Sequence, residues 1–209
     1  MALGNNNNNN ATLFILKVVE KDEEKKKVSP FFSVSRKVDG KYQKESQVTR
    51  VSGNLYRIDV RNEEYQGTPY ITVNLFLRDG EESYLLDLRM NIATRGLFNS
   101  IFSLENYEGL SFTVYQNNRG YTSLGLWQGE TMVKWKHKID ELPQPKEVTF
   151  KGKKMHDYTE VDEFFAKELR VISDKFGGSK ASKTKTSNTS TPTPLAGAPK
   201  DEVEDPTPF

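Results

Sequence analysis

The stretch PYITVNLFLRD, residues 69–79, decides the fold because its side chains alternate strictly between two kinds. Successive side chains of a β-strand point to opposite faces of the sheet, so this alternation predicts a strand with one face on a core. The core face is aliphatic and consists of Ile71, Val73, Leu75 and Leu77. The opposite face consists of Tyr70, Thr72, Asn74, Phe76 and Arg78.

The same alternation predicts strands on both sides of this stretch, at 11–19, 30–38, 54–61, 83–90, 111–117, 121–127 and 130–138. In 54–61, Tyr56 is predicted to share the core face with Ile58. Two segments with helical periodicity, 91–104 and 159–173, predict helices. The second helix opens on TEVD, an approximate capping box at Thr159, and is expected to end near Gly177.

This order of elements predicts a mainly β domain with an OB-fold, a five-stranded Greek-key barrel. The barrel would carry extra N-terminal strands, one helix between its third and fourth strands, and a C-terminal helix. A β-sandwich is the alternative, but it offers no reason for the helix in the middle of the domain.

Composition divides the chain into four segments. An Asn-rich lead, residues 1–10, is expected to be disordered, and an expression scar is the alternative origin for it. The folded domain is predicted over 11–176. Residues 177–200 are rich in Gly, Ser, Thr, Lys and Pro, which predicts a flexible linker, and residues 201–209 form an acidic tail.

Charge is segregated along the chain. It carries 30 Lys and Arg against 29 Asp and Glu, and four of these acids lie in the last nine residues. A basic body with an acidic tail favours a polyanion binder, although ordinary surface solubility is the alternative. There is no Cys, which excludes disulfides and thiolate chemistry and fits a cytoplasmic protein. The sequence predicts neither a secretory signal nor a membrane span.

Catalysis has little support in the sequence. The two histidines, His137 and His156, show no familiar ligand or catalytic spacing, and no nucleotide-binding or hydrolase motif occurs. Asp87 is the best lone candidate for a metal or acid role, but an ion pair with Arg89 or Arg78 is the preferred interpretation. We therefore expect no enzyme activity and no cofactor, and keep a metal-dependent nuclease as a minor hypothesis.

Aromatic and cationic side chains alternate on the predicted outward faces and at a hairpin tip. Rings stack on nucleobases and cations meet phosphates, so this pattern predicts an interface for single-stranded nucleic acid. The candidates are Arg57, Arg61, Tyr70, Asn74, Phe76, Arg78, Arg89, Tyr115, Arg119, Tyr121, Trp127, Lys134, Trp135 and Lys136. Two alternatives stay open: Tyr70 and Phe76 beneath the final helix, and Trp135 in the core with Val133.

The chain ends in DEVEDPTPF, residues 201–209. A β-rich body, a Pro/Ser/Thr/Gly linker and an acidic end with a terminal aromatic resemble single-stranded DNA-binding proteins of bacteria and bacteriophages. Thr207 and Pro208 stand before Phe209, where the bacterial proteins end in Ile-Pro-Phe, so the resemblance favours the bacteriophage type. It covers the tail and the overall layout, and does not extend through the body.

The resemblance implies a protein that coats single-stranded DNA during replication, recombination and repair in the bacterial cytoplasm. Its tail would recruit partner enzymes through Asp201, Glu202, Glu204, Asp205 and Phe209, because a pocket with an apolar slot and a basic rim binds a terminal ring and carboxylate together. Solubility alone is the alternative role for the tail. A viral assembly factor whose β-body binds protein is the alternative function, and homo-oligomerisation stays open.

Overall fold

The computed structural model describes residues 13–21, 27–39, 41–150 and 152–176. The predicted Asn-rich lead, the linker and the acidic tail lie outside these residues. The strands are β1 (Leu13–Lys21), β2 (Lys27–Val38), β3 (Lys41–Val48), β4 (Arg50–Tyr65), β5 (Thr68–Asp79), β6 (Glu82–Arg89), β7 (Leu110–Gln116), β8 (Thr122–Gln128), β9 (Thr131–Met132), β10 (Lys146–Phe150) and β11 (Lys153–Asp157). The helices are α1 (Ile92–Ile101) and α2 (Thr159–Lys175).

Nine strands form one sheet in the order β3-β2-β1-β6-β5-β4-β7-β8-β9. All neighbours are antiparallel except β1 and β6, which run parallel with Leu16 opposite Leu86. Strands β10 and β11 form a separate hairpin. The prediction of a mainly β domain is confirmed. The closed OB-fold barrel is not, because the described strands form an open sheet.

The core lies on the aliphatic face of β5, as its alternation predicts. Val73, Leu75 and Leu77 are fully buried. Alternating residues of β7, Leu110, Phe112 and Val114, are buried in the same cluster. This core fixes which face of β4, β5 and β6 turns outward.

Both helices pack on the core side of the sheet. In α1, Leu97, Phe98 and Ile101 are fully buried, while Asn91 caps the first turn by accepting hydrogen bonds from the backbone N–H groups of Ala93 and Thr94. Within the described residues neither helix is both long and apolar enough to cross a membrane.

Helix α2 begins at Thr159 as predicted, but the predicted capping box is wrong. The cap residue is Tyr158, and Asp157 Oδ1 accepts from both the backbone N–H and the hydroxyl of Thr159. The helix packs along β4, where the hydroxyl of Ser173 donates to the carbonyl of Ile58 at 2.6 Å.

Candidate functional site

A β-bulge in β4 changes which side chains turn outward. The register with β5 shifts between Leu55 and Arg57, so the intervening Tyr56 joins Arg57 on the outer face. Tyr56 is 37% exposed whereas Ile58 is fully buried. The prediction that Tyr56 shares the core face with Ile58 is therefore wrong, and the consecutive apolar pair Leu55-Tyr56 was the only sign of it in the sequence.

The outer face of β4, β5 and β6 carries three arginine–aromatic pairs, which we call the arginine face. The guanidinium of Arg57 lies 4.7 Å from the ring centroid of Phe76. That of Arg78 lies 4.9 Å from the centroid of Tyr56. That of Arg89 lies 4.5 Å from the centroid of Tyr70. All three distances fall within the range of cation–π attraction, about 6 Å.

These pairs also show which side chains cover the rings of Tyr70 and Phe76. Both rings are half-buried, and Phe76 further contacts Tyr56 with centroids 6.2 Å apart. Their cover among the described residues comes from the arginines and Tyr56 of the sheet itself. The alternative, in which α2 covers both rings, is not what the structure shows.

Acidic side chains are interleaved with the arginines. Asp59 accepts two hydrogen bonds from Arg57, at 2.9 and 2.6 Å, and a weaker one from Arg61 at 3.5 Å. The hydrogen bond to Asp59 raises the pKa of Arg57. Arg57 and Arg61 are therefore partly neutralised. Within the described residues Arg78 and Arg89 form no ion pair, and both are exposed.

Asn74 and Thr72 lie on this face but are buried, at 6% and 7% exposure, so the expectation that Asn74 is an accessible contact is wrong. Asn74 is flanked across the strands by Asp59 and Asp87, and its Oδ1 has no hydrogen-bond partner in the described residues. Asp87 pairs with Lys17 at 3.1 Å, which corrects the predicted pairing with Arg89 or Arg78.

A cleft of about 390 Å³ begins at the end of the arginine face, and we call it the junction cleft. Tyr70 and Arg89 line one side, and Ala93 and Leu124 line the other. A hydrogen bond to Glu63, which also lines the cleft, raises the pKa of Tyr70. The charges in this cleft are mixed, since Lys17, Asp87 and Glu63 also line it.

A second cleft, of about 480 Å³, lies between α1 and the β7–β8 hairpin, and we call it the aromatic cleft. Its rings are Tyr115, Tyr121 and Trp135, which are 40%, 45% and 45% exposed. Of the residues that the structure describes, Arg119 is the only charged one that lines it. Exposed aromatic rings gathered in one cleft are characteristic of a binding surface.

The hairpin loop that presents Arg119 and Tyr121 is organised by Asn117. Its Oδ1 accepts hydrogen bonds from the backbone N–H groups of both residues, each at 3.0 Å. Its own backbone N–H donates to the carbonyl of Tyr121 at 2.8 Å. These hydrogen bonds therefore order the turn that places Arg119 and Tyr121 in the same cleft as Tyr115.

Trp135, which lines the α1 side of the cleft, belongs to the segment 133–138, where the predicted strand 130–138 is wrong beyond Met132. The segment is bound to α1 instead. Asn99 is 2% exposed, donates to the carbonyl of His137 and accepts from its N–H, both at 2.9 Å. Ser100 donates to the carbonyl of Val133 at 3.0 Å. These bonds direct Trp135 to the surface, which settles the alternative that placed it in the core.

Trp135 lies close against α1 at a position where the helix carries a glycine. A Cβ at Gly96 would come within 3.2 Å of Trp135 Cζ2. Across the cleft, a Cβ at Gly125 would come within 2.8 Å of Thr113 Oγ1 and 3.3 Å of Tyr115 Cε1. Both glycines act by close approach to a neighbour, which a single sequence does not reveal.

The remaining candidates occupy the periphery. Lys134 and Lys136 are exposed on the segment that carries Trp135. Trp127 is half-buried on β8, opposite Ser111, and does not line the aromatic cleft. Sequence reasoning missed Ile92 and Met132, which line the cleft with 37% and 45% exposure. The candidate tail residues 201–209 lie outside the described residues.

The two clefts adjoin, because Ala93 and Leu124 line both of them. The arginine face, the junction cleft and the aromatic cleft therefore follow one another across the surface. No protein-family model matches the chain, and no curated protein or solved structure shows significant similarity to it.

Proposed function

We propose that the protein binds single-stranded DNA without strong sequence preference and without catalysing a reaction. The observation that carries this proposal is the aromatic cleft, in which three exposed rings and Arg119 meet and to which the described part of the chain contributes no acidic residue. Each base stacked on a ring contributes roughly 1–3 kcal/mol, and any base can stack. The arginine face adjoins this cleft and adds cations.

We further propose that β4, β5, β6, α1, β7 and β8 correspond to an OB-fold core. Supporting this, three antiparallel strands precede the helix, and β7 pairs antiparallel with the first of them, β4. On its other edge, β6 pairs in parallel with β1. OB-folds bind oligonucleotides on their second and third strands and on the loop between their last two strands. The corresponding parts of this protein would be β5 and β6, which carry part of the arginine face, and the β7–β8 loop that bears Arg119.

The cellular role is proposed from the resemblance of the C-terminal sequence. The protein would coat single-stranded DNA during replication, recombination and repair in a bacterial host, as a bacteriophage protein does. Its tail, from Asp201 to Phe209, would recruit partner enzymes. The preference for DNA over RNA rests on the same resemblance, since both polymers offer bases and phosphates.

The direct test is binding of a labelled oligothymidylate, compared with a duplex of equal length, measured by fluorescence anisotropy at low salt. We expect the single strand to bind much more tightly. Equal affinity for both, or no binding to either, would refute the proposal and favour a β-rich assembly factor that binds protein.

A matched pair of variants ties the binding to the cleft. Tyr121→Ala removes a ring of the aromatic cleft, whereas Tyr42→Ala removes an exposed tyrosine ring from the edge strand β3, where Tyr42 is 62% exposed against 45% for Tyr121. Tyr121→Ala is expected to weaken binding about tenfold, and Tyr42→Ala to leave it unchanged. Equal effects would mean that the cleft is not the site.

A further inference from the structure

Resting on the proposed function, we propose that the two surfaces divide the strand between them: the arginine face holds its phosphates, and the aromatic cleft holds its bases. The two surfaces would thus use their aromatic rings differently: those of the arginine face support cations, and those of the aromatic cleft stack on bases. The sequence alone assigns Tyr70 and Phe76 of the arginine face to base stacking as well.

The rings of the arginine face are already covered. The guanidinium groups of Arg57, Arg78 and Arg89 lie 4.7, 4.9 and 4.5 Å from the ring centroids beneath them. Tyr70 and Phe76 are also half-buried against the sheet. A base cannot stack on a ring face that a guanidinium occupies unless that guanidinium leaves it.

The outermost groups on this face are therefore the guanidiniums. Arg78 and Arg89 are exposed and form no ion pair with the described residues. Each lies over a ring, at 4.9 and 4.5 Å from its centroid, and has N–H donors whose fixed, planar geometry matches phosphate oxygens. Arg57 contributes less, because Asp59 accepts two of its hydrogen bonds.

The aromatic cleft has the opposite character. Among the described residues no cation lies over the rings of Tyr115 or Tyr121, which are 40% and 45% exposed. Arg119 is the one charged residue that the described ranges contribute to its lining. At about 480 Å³, the cleft falls within the roughly 300–1,000 Å³ typical of small-molecule and cofactor sites.

A single DNA strand can contact both the arginine face and the aromatic cleft. Arg89 and Tyr70 end the arginine face and line the junction cleft, which shares Ala93 and Leu124 with the aromatic cleft. A chain whose phosphates follow Arg78 and Arg89 thus leads into the space where bases turn toward Tyr115, Tyr121 and Trp135.

The salt dependence of binding separates the two roles. For single strands, log K falls against log[salt] with a slope of about −0.7 for each phosphate contact. The double variant Arg78→Ala/Arg89→Ala should make the slope shallower by about 1.4. The double variant Tyr115→Ala/Tyr121→Ala should lower affinity about tenfold or more at every salt concentration while keeping the slope.

The outcomes are distinguishable from failure of the proposed function. If the wild-type protein does not bind oligothymidylate, the proposed function fails. If it binds, but the arginine variant keeps the wild-type slope or the tyrosine variant loses slope, the division of the strand is wrong and binding itself stands.

A second measurement needs no variant of the cleft itself. The chain has two tryptophans, so Trp127→Phe leaves Trp135 as the only one. Oligothymidylate should quench Trp135 fluorescence, whereas an abasic oligonucleotide of equal length should bind, as seen by anisotropy, with little quenching. Equal quenching by the abasic strand would overturn the assignment of bases to the aromatic cleft.

Discussion

The indole of Trp135 packs directly on the backbone of Gly96, where a Cβ would lie 3.2 Å from Cζ2 and 3.5 Å from Nε1. The 3.2 Å contact is tighter than most Cβ contacts in proteins, so an added methyl group would require the indole to shift by a few tenths of an ångström. Gly96 therefore sets the position of the ring that closes the aromatic cleft on the α1 side.

Gly96→Ala should displace Trp135 and weaken oligonucleotide binding, by up to the roughly 1–3 kcal/mol that one stacked base contributes. Alanine in a helix interior is about 1 kcal/mol better than glycine, so the protein should remain folded. Binding by anisotropy and the emission spectrum of the protein measure the two effects.

The control for Gly96→Ala is Val171→Ala, which raises helix propensity at a 53% exposed position of α2, away from the cleft. It should leave binding unchanged. If Gly96→Ala also binds like the wild type, Trp135 has no part in holding the strand.

A second prediction concerns Asn99, whose amide holds residue 137 at both its N–H and its carbonyl. Asn99→Ala leaves these backbone groups without their partner, which should lower the free energy of unfolding by about 1–3 kcal/mol. It should also weaken DNA binding, because the segment carrying Trp135 loses its attachment to α1. Urea denaturation and anisotropy measure the two losses.

Ser103→Ala is the comparison for Asn99→Ala. Ser103 donates to the carbonyl of Lys134 at 2.8 Å, but the bond is exposed to water, so its loss should matter little to either quantity. Equal effects of the two variants would show that the segment is held by packing rather than by Asn99.

The strands show where a prediction from alternating apolar and polar side chains holds and where it fails. Strand β5 and the core face of β7 follow it, because regular pairing on both sides preserves the two-residue period. The period fails at Tyr56, where a bulge inserts one residue. It fails again after Val133, whose N–H still donates to Leu126 of β8, because Asn99 and Ser100 of α1 bind the backbone of residues 137 and 133. Neither event leaves a periodic signal.

The sequence predicted several residues of the candidate site but not how their side chains are arranged. Tyr115 was identified from the outward face of an alternating strand, and Arg119 and Tyr121 because a turn between such strands lies at the surface. That arginines cover Tyr70 and Phe76 depends on cross-strand register, which a single sequence does not fix. Strand β3 was missed because nearly all its side chains are exposed and few are apolar.

The two helices are joined by a buried ion pair. Arg95 Nε donates to Asp162 Oδ1 at 2.8 Å, with the Arg95 side chain only 6% exposed, and its guanidinium lies 4.3 Å from the ring centroid of Tyr158. Asp162→Ala leaves this charge buried and unpaired, so the free energy of unfolding should fall by about 3–5 kcal/mol in urea denaturation.

The exposed pair Lys154–Glu147, with side chains 76% and 56% exposed, is the control for Arg95–Asp162. Glu147→Ala should change the free energy of unfolding by less than about 1 kcal/mol, because water screens the pair. A similarly small effect of Asp162→Ala would mean that Arg95 finds water or another partner when its carboxylate is removed.

The last prediction concerns alkaline pH. Tyr84 stacks on Phe14 with ring centroids 5.6 Å apart and donates a hydrogen bond to Glu82. Burial, and then that hydrogen bond, raise the pKa of Tyr84 from 10.0 to about 12. The folded state therefore favours the protonated phenol, and this contribution to stability is fully present below pH 10 and is lost as the pH rises towards 12.

The free energy of unfolding should accordingly fall more steeply between pH 10 and 12 in the wild type than in Tyr84→Phe. Urea denaturation across this range measures the difference, and ultraviolet titration of the folded protein should show one high-pKa tyrosine fewer in the variant. Tyr70 and Tyr107, whose pKa values are also raised, remain in both proteins, so only the difference between the two slopes reports on Tyr84. Parallel slopes would show that the phenol of Tyr84 ionises as readily in the folded chain as in the unfolded one.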